Sequence, residues 1–184
     1  IGDDDEPVDD ADVWQPYEFE EGVYYEYTVE GDGMITTLKW EVLSVSGDQI
    51  TVKIEVDFGE DEVYSETITG NEDTIYEEAM MMPVAGSFLY TGFYGGWVND
   101  FASEGLAIGK NWSVTTPQGT ISYEVTGMET YAGQESYVGE SKIDGVRWYK
   151  VAVSPDIAFP TYVAYYDPEN GELALEIELQ EYRN

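Results

Sequence analysis

MITTLKWEVLSVSGDQITVKIEVDF (34–58) is the stretch that decides the fold. In its second half Ile50, Val52, Ile54, Val56 and Phe58 alternate with Thr51, Lys53, Glu55 and Asp57, the period-two pattern of a strand with one face on a core and one in water. Its first half sets Met34, Leu38, Trp40 and Val42 against Thr37, Lys39 and Glu41, and SGD (46–48) supplies a turn between the two. Upstream, VYYEYTVE (23–30) places Tyr25, Tyr27 and Val29 opposite Glu26, Thr28 and Glu30, and GDG (31–33) turns it into the next run. Three such strands joined by two- or three-residue turns predict an antiparallel meander.

Beyond it the same alternation returns in NWSVTT (111–116), TISYEVTGM (120–128), ESYVGESKI (135–143), GVRWYKVAV (145–153), TYVAYYD (161–167) and ELALEIELQEY (172–182), with DPENG (167–171) as the last hairpin loop. NEDTIYEEAMMM (71–82) differs: an Asn71 cap, acids in the first turn, and Ile75, Ala79 and Met82 at helical spacing predict a short helix ending before Pro83. WVNDFASEG (97–105) is a second short-helix candidate. The fold class is therefore mainly β: a curved antiparallel sheet or half-barrel of about nine strands with one or two short helices. Residues 1–16 read as an acidic extended N-terminal arm, and 17–184 as a single antiparallel β domain carrying a helical and apolar insertion at about 71–105. Glu21-Gly22-Val23-Tyr24-Tyr25 and Ile108-Gly109-Lys110-Asn111-Trp112 form a faint internal echo, which suits two halves of one sheet.

The chain has 39 Asp+Glu against 7 Lys+Arg, a formal net charge of -32, and no Cys or His. Cysteine and histidine nucleophiles, Ser-His-Asp triads and His- or Cys-ligated zinc are excluded, and the expectation is a non-enzymatic protein. Nucleic acid and anionic membrane surfaces are poor partners for so few cations, and no run is long and apolar enough to insert in a membrane. Calcium takes oxygen ligands, so it is the cofactor candidate, with Asp3, Asp4, Asp5, Asp9, Asp10, Asp12, Glu60, Asp61 and Glu62 as its candidate residues; a solvated charge run is the competing reading. FLYTGFYGGW (88–97) is apolar without a period, so Phe88, Tyr90, Phe93, Tyr94 and Trp97 are a candidate ligand or contact patch, or else a plug for the sheet. Asn111-Trp112-Ser113 satisfies the N-glycosylation pattern at Asn111.

Two resemblances follow from particular residues. The acidic bias with almost no lysine resembles the proteomes of salt-loving archaea, and the opening IGDDDEPVDD (1–10) resembles the start of secreted archaeal lipoproteins, in which a lipid-modified Cys would stand just before Ile1. GLAIGKNWSV (105–114), VTGMETYAGQESYVGES (125–141), IDGVRWYKVAV (143–153) and VAYYDPENGELALEIEL (163–179) resemble extracytoplasmic lipoproteins related to the Lol-type lipoprotein carriers. That resemblance implies a curved antiparallel sheet wrapped around short helices, often with an apolar concavity. The expectation is an extracellular, cell-surface binding or structural module on an acidic tether, with a protein partner or self-association. Its rivals are a self-assembling filament or layer subunit that adds the arm or the last strand (172–182) to a neighbour's sheet, with calcium between acidic faces, and a carrier of an apolar ligand.

Overall fold

A computed structural model of the protein describes residues 14, 19–59, 62–71, 73–86, 89, 105–116 and 119–184. The described strands are β1 Tyr24–Gly31, β2 Met34–Ser46, β3 Gln49–Asp57, β4 Val63–Gly70, β5 Asn111–Thr116, β6 Gly119–Tyr131, β7 Gln134–Ile143, β8 Val146–Val153, β9 Tyr162–Tyr166 and β10 Leu173–Arg183, with helix α1, Ile75–Met80, between β4 and β5. They form one antiparallel sheet in the order β4-β3-β2-β1-β10-β9-β8-β7-β6-β5. The described strands therefore begin mid-sheet with β1, meander out to the edge at β4, resume at the other edge with β5, and meander back until β10 lies beside β1. β6 and β10 approach within 8 Å, whereas four strand spacings in a flat sheet would separate them by about 19 Å. The sheet is strongly curved, but its edges do not meet.

The alternation read from 23–58 is borne out except at Met34, which is 64% exposed beside the β1–β2 turn, and at Phe58, which is half-buried at the end of β3. Tyr25, Tyr27, Val29, Leu38, Trp40, Val42, Ile50, Val52, Ile54 and Val56 are all buried on one face, here called inner. α1 lies on the inner side: Ile75, Tyr76, Ala79 and Met82 join the same core, while Met81 is 83% exposed. Asn71 organises the turn just before the helix, its Oδ1 accepting from the N–H groups of Asp73 (3.1 Å) and Thr74 (3.0 Å). Gly86 packs on the end of α1 so closely that a Cβ there would lie 2.0 Å from the carbonyl oxygen of Met80.

Two elements differ from the expectation. A tenth strand, β4, was not legible because it is an edge strand that buries almost nothing: none of its residues is in the buried class. β6 runs to Tyr131 rather than ending near Met128, since Ala132 (φ 48°) and Gly133 (φ 80°) make the two-residue turn into β7. A further piece had no strand or helix signature at all. The β8–β9 connection SPDIAFPT (154–161) turns inward and seats Phe159, fully buried, among Phe19, Tyr25, Trp40 and Tyr76, with centroid separations of 4.9, 5.1, 5.0 and 6.1 Å. Three aromatic side chains hold this connection: the Trp14 indole N–H donates to Ile157 O (2.9 Å), the Tyr27 hydroxyl to Pro160 O (2.9 Å), and the Tyr25 hydroxyl accepts from Ala158 N (3.2 Å).

The internal echo has a structural counterpart. Gly22 N–H donates to Val42 O (2.9 Å) and Val42 N–H to Val23 O (2.8 Å); Gly109 N–H donates to Val125 O (2.8 Å) and Val125 N–H to Lys110 O (2.9 Å). Both glycines have positive φ (89° and 85°), and in both halves a bulge follows the valine, at Val42/Ser44 and at Val125/Gly127. Trp112 and Tyr123 stack on the second of these hairpins at 5.2 Å.

Candidate functional site

The outer face is laid out as charge pairs. Lys39 reaches Glu55 at 2.8 Å, Lys53 reaches the same carboxylate at 3.1 Å, Arg147 reaches Glu140 at 3.1 Å and Lys150 reaches Glu129 at 2.9 Å. The Lys39 and Lys53 ammoniums pull the Glu55 carboxyl below the usual glutamate range. For Glu129 the Tyr131 hydroxyl is the larger cause and Lys150 the second. Around this pair a small outer cluster forms: Tyr131 stacks on Tyr162 at 4.9 Å with Lys150 5.0 Å above the Tyr162 ring, and Tyr162 donates to Glu176 at 2.5 Å. Its groups satisfy one another, so it reads as architecture. A polar groove of about 450 Å³ farther along this face is likewise filled with paired charge, Lys142 lying between Glu124 (3.9 Å) and Glu140 (3.8 Å).

The inner face opens at the two ends of the β1–β10 seam, where the halves of the sheet join. At the β1–β2 turn end lies an apolar cleft of about 290 Å³ walled by Val29, Gly31, Met34, Thr36, Ala174 and Leu175. Asp32 (φ 51°) and Gly33 (φ 76°) form the two-residue turn that brings Met34 opposite Gly31. A Cβ on Gly31 would lie 3.0 Å from Leu175 Cδ1 and 3.1 Å from Ala174 O, so glycine there permits the close approach of β10. The tip around it is apolar and wet: Met34 and Ile35 are each 64% exposed, and Leu173 is 49% exposed.

At the opposite end of the seam a cleft of about 250 Å³ is lined by Glu20, Val23, Tyr25, Asp156, Ile157 and Tyr182. Register places Tyr182 opposite Tyr25, and their rings lie 5.3 Å apart. Burial first, then the Glu20 and Asp156 carboxylates, raise the Tyr182 hydroxyl above its ordinary value. Tyr25 is 1% exposed.

The calcium candidates Asp3, Asp4, Asp5, Asp9, Asp10, Asp12, Glu60 and Asp61, and the patch Phe88, Tyr90, Phe93, Tyr94 and Trp97, lie outside the described residues. Glu62 is described: its N–H bonds Gly59 O and its carbonyl accepts from Phe58 N, both at 3.0 Å, closing the β3–β4 loop. Among the described residues no three Asp or Glu side chains are grouped to hold a metal. Asn111 is exposed at the start of β5, its amide donating to Gly109 O at 3.1 Å, and Ser113 is exposed two residues on. The idea that the last strand adds to a neighbour's sheet fails, because β10 is interior and bonded on one side to β1 and on the other to β9. The edge strands among those described are β4 and β5. Neither seam cleft was found from sequence; the adjacent apolar residues Met34 and Ile35, which break the alternation beside a turn, were the available signal for one of them.

No family model matches the sequence, and no curated protein matches it. Solved structures do share the architecture. The chain is similar to the MucA/MucB complex structure of Pseudomonas aeruginosa, with a TM-score of 0.53 and 11% identity over 88% of this chain and 50% of that one. A crystal structure of MucB matches 91% of this chain and 54% of its own at 12% identity and a TM-score of 0.48. A candidate lipoprotein from Parabacteroides distasonis covers 95% and 100% at 11% identity and a TM-score of 0.43. This chain thus spans about half of the MucB chains, and at such identity the likeness speaks to the fold alone. That fold is the open, curved antiparallel sheet, and its first three strands are the meander that residues 23–58 predict.

Proposed function

We propose that this chain is a non-enzymatic, extracytoplasmic module that binds a protein partner along the β1–β10 seam. One observation carries the reading. In a chain with 39 carboxylates, the apolar cleft at the β1–β2 turn has Met34 on its wall, 64% exposed, while Ile35 and Leu173 are exposed at neighbouring positions outside that cleft, and exposed apolar side chains gathered at one end of an acidic surface are the pattern of a contact site. The occupant that fits is a partner segment with an apolar side chain for this cleft and a basic residue to meet the net charge of -32. The likeness to MucB, whose structure in complex with MucA is known, supports protein binding as the use of this fold. Residence outside the cytoplasm is supported by the resemblance of IGDDDEPVDD to a post-anchor spacer. The carrier reading has less behind it, since Phe159, Trp40 and Phe19 pack solidly against the inner face where a described ligand cavity would lie.

The test compares capture by the purified chain and by a Met34→Asp, Leu175→Asp variant, using an extracytoplasmic fraction of the source cells. A protein retained by the first and lost by the second is the expected result. An apolar small molecule seen with the wild type by native mass spectrometry, with no protein retained, would overturn it in favour of the carrier.

A further inference from the structure

We propose that Asn111 is an N-glycosylation site, its side-chain amide carrying a glycan whose first sugar lies in the polar groove over Ser122 and Lys142. This rests on the extracytoplasmic part of the reading above and is separate from partner binding at the seam.

The first ground is the acceptor motif and where the fold puts it. Asn111-Trp112-Ser113 fits the pattern, and no other Asn in the chain has Ser or Thr two residues on. The motif opens β5, where extended backbone sends alternate side chains to opposite faces. Trp112 turns inward to stack on Tyr123, and both pack against the core. Asn111 and Ser113 are therefore left side by side on the outer face, and both are exposed. The second ground is the amide itself. One of its two N–H bonds donates to Gly109 O at 3.1 Å, and the other has no acceptor among the described residues. A sugar can replace the second hydrogen while the first bond survives to orient the linkage.

The third ground is the floor beside the amide. Register sets Asn111 opposite Glu124 and Glu124 opposite Glu140, and in the next row Ser113 opposite Ser122 and Ser122 opposite Lys142. These two rows line the groove of about 450 Å³, a size in the range of small-ligand sites, about 300–1,000 Å³. Its charges are paired at a distance. Lys142 Nζ is 3.9 Å from Glu124 and 3.8 Å from Glu140, beyond hydrogen-bond reach of either. Gaps of this width are closed by a bridging oxygen, and a sugar ring carries several hydroxyls that each donate and accept. A glycan here also covers an exposed edge. β5 ends the described sheet and has no charged residue or Pro between Asn111 and Thr116, the usual means by which an edge strand is kept from pairing.

The donor class is a polyprenyl-phosphate-linked sugar, used by a transferase outside the cytoplasm. Asn111 Nδ2 bonds to the sugar C1, the C1–O bond to phosphate breaks with its electron pair leaving on the polyprenyl phosphate, and one amide proton passes to a base of the transferase.

The test is peptide mass spectrometry of the full chain purified from its source cells. Expected is a sugar mass on the peptide bearing Asn111, lost in Asn111→Gln and Ser113→Ala and kept in Ser113→Thr. An amine-acylating reagent should then label Lys142 several-fold less in the glycosylated chain than in the Asn111→Gln chain, while Lys53, in the other half of the sheet, is labelled equally in both. Sugar retained in Ser113→Ala, or Asn111 unmodified in chain recovered outside the cytoplasm, overturns the site and leaves the location standing. An unmodified chain held in the cytoplasm overturns both. Equal labelling of Lys142 overturns the seat in the groove.

Discussion

At the scale of the residue, Phe159 matters most. It is fully buried and touches aromatic rings from the N-terminal segment, β1, β2 and α1. Phe159→Ala should cost about 3–5 kcal/mol in urea unfolding, because neighbours this rigid cannot collapse into the space. Trp40 makes the instructive contrast. It is 1% exposed, yet its indole N–H has no partner among the described residues, and such a donor costs about 1–3 kcal/mol to bury. Trp40→Phe removes that donor along with some contact area, so its net cost should stay below about 1.5 kcal/mol. A loss as large as that of Phe159→Ala would mean the indole is bonded. Phe159 itself was not legible: in SPDIAFPT no period marks inside from outside, because the segment is buried as a loop whose backbone groups are met by side chains from elsewhere, Tyr25, Tyr27 and Trp14 among them.

At the scale of the element, legibility followed burial. β1, β2 and β3 declare themselves because one face is core and the other is charged water, so every second residue is constrained. β4, which packs little at a sheet edge, carries no such constraint and was missed. The echo at Gly22 and Gly109 was visible as a glycine before an aromatic-led strand, although its meaning lay in hydrogen bonds to Val42 and Val125 that no local pattern reports. At both glycines a Cβ would meet nothing within 4 Å, so a substitution there tests backbone conformation alone. Gly22→Ala and Gly109→Ala should each destabilise by about 1 kcal/mol in urea melts, from the positive φ. A large difference between them would contradict the equivalence of the two hairpins. The seam clefts escaped sequence reading for a related reason: each needs β1 beside β10, a pairing between opposite ends of the chain.

At the scale of the molecule, net charge competes with specific pairs. Between pH 7 and about 5, protonating surface carboxylates relieves the repulsion of -32 charges and should raise stability in dilute buffer. Glu55 and Glu129 act oppositely. Their folded-state pKa values lie below the ordinary one near 4.3, so the stability they contribute is complete above that value and is lost as pH falls through the folded one. Both pairs are partly exposed, which keeps that contribution small. The urea midpoint in low salt should therefore rise on acidification from pH 7, pass a maximum near pH 5 and decline below about 4. About 1 M salt, with a Debye length near 3 Å, should flatten the rise. A steady fall from pH 7 in low salt would show that charge repulsion is not the dominant cost.

The claim that joins these scales is that partner contact occurs at the turn end of the β1–β10 seam. A photoreactive amino acid placed at position 34 and irradiated in the source cells tests it most directly, with the same residue at position 108 as a control, since Ile108 is 60% exposed. A discrete protein adduct from position 34 and none from 108 is the expected result; equal adducts from both, or a lipid adduct from 34, would rule out partner contact at this end of the seam.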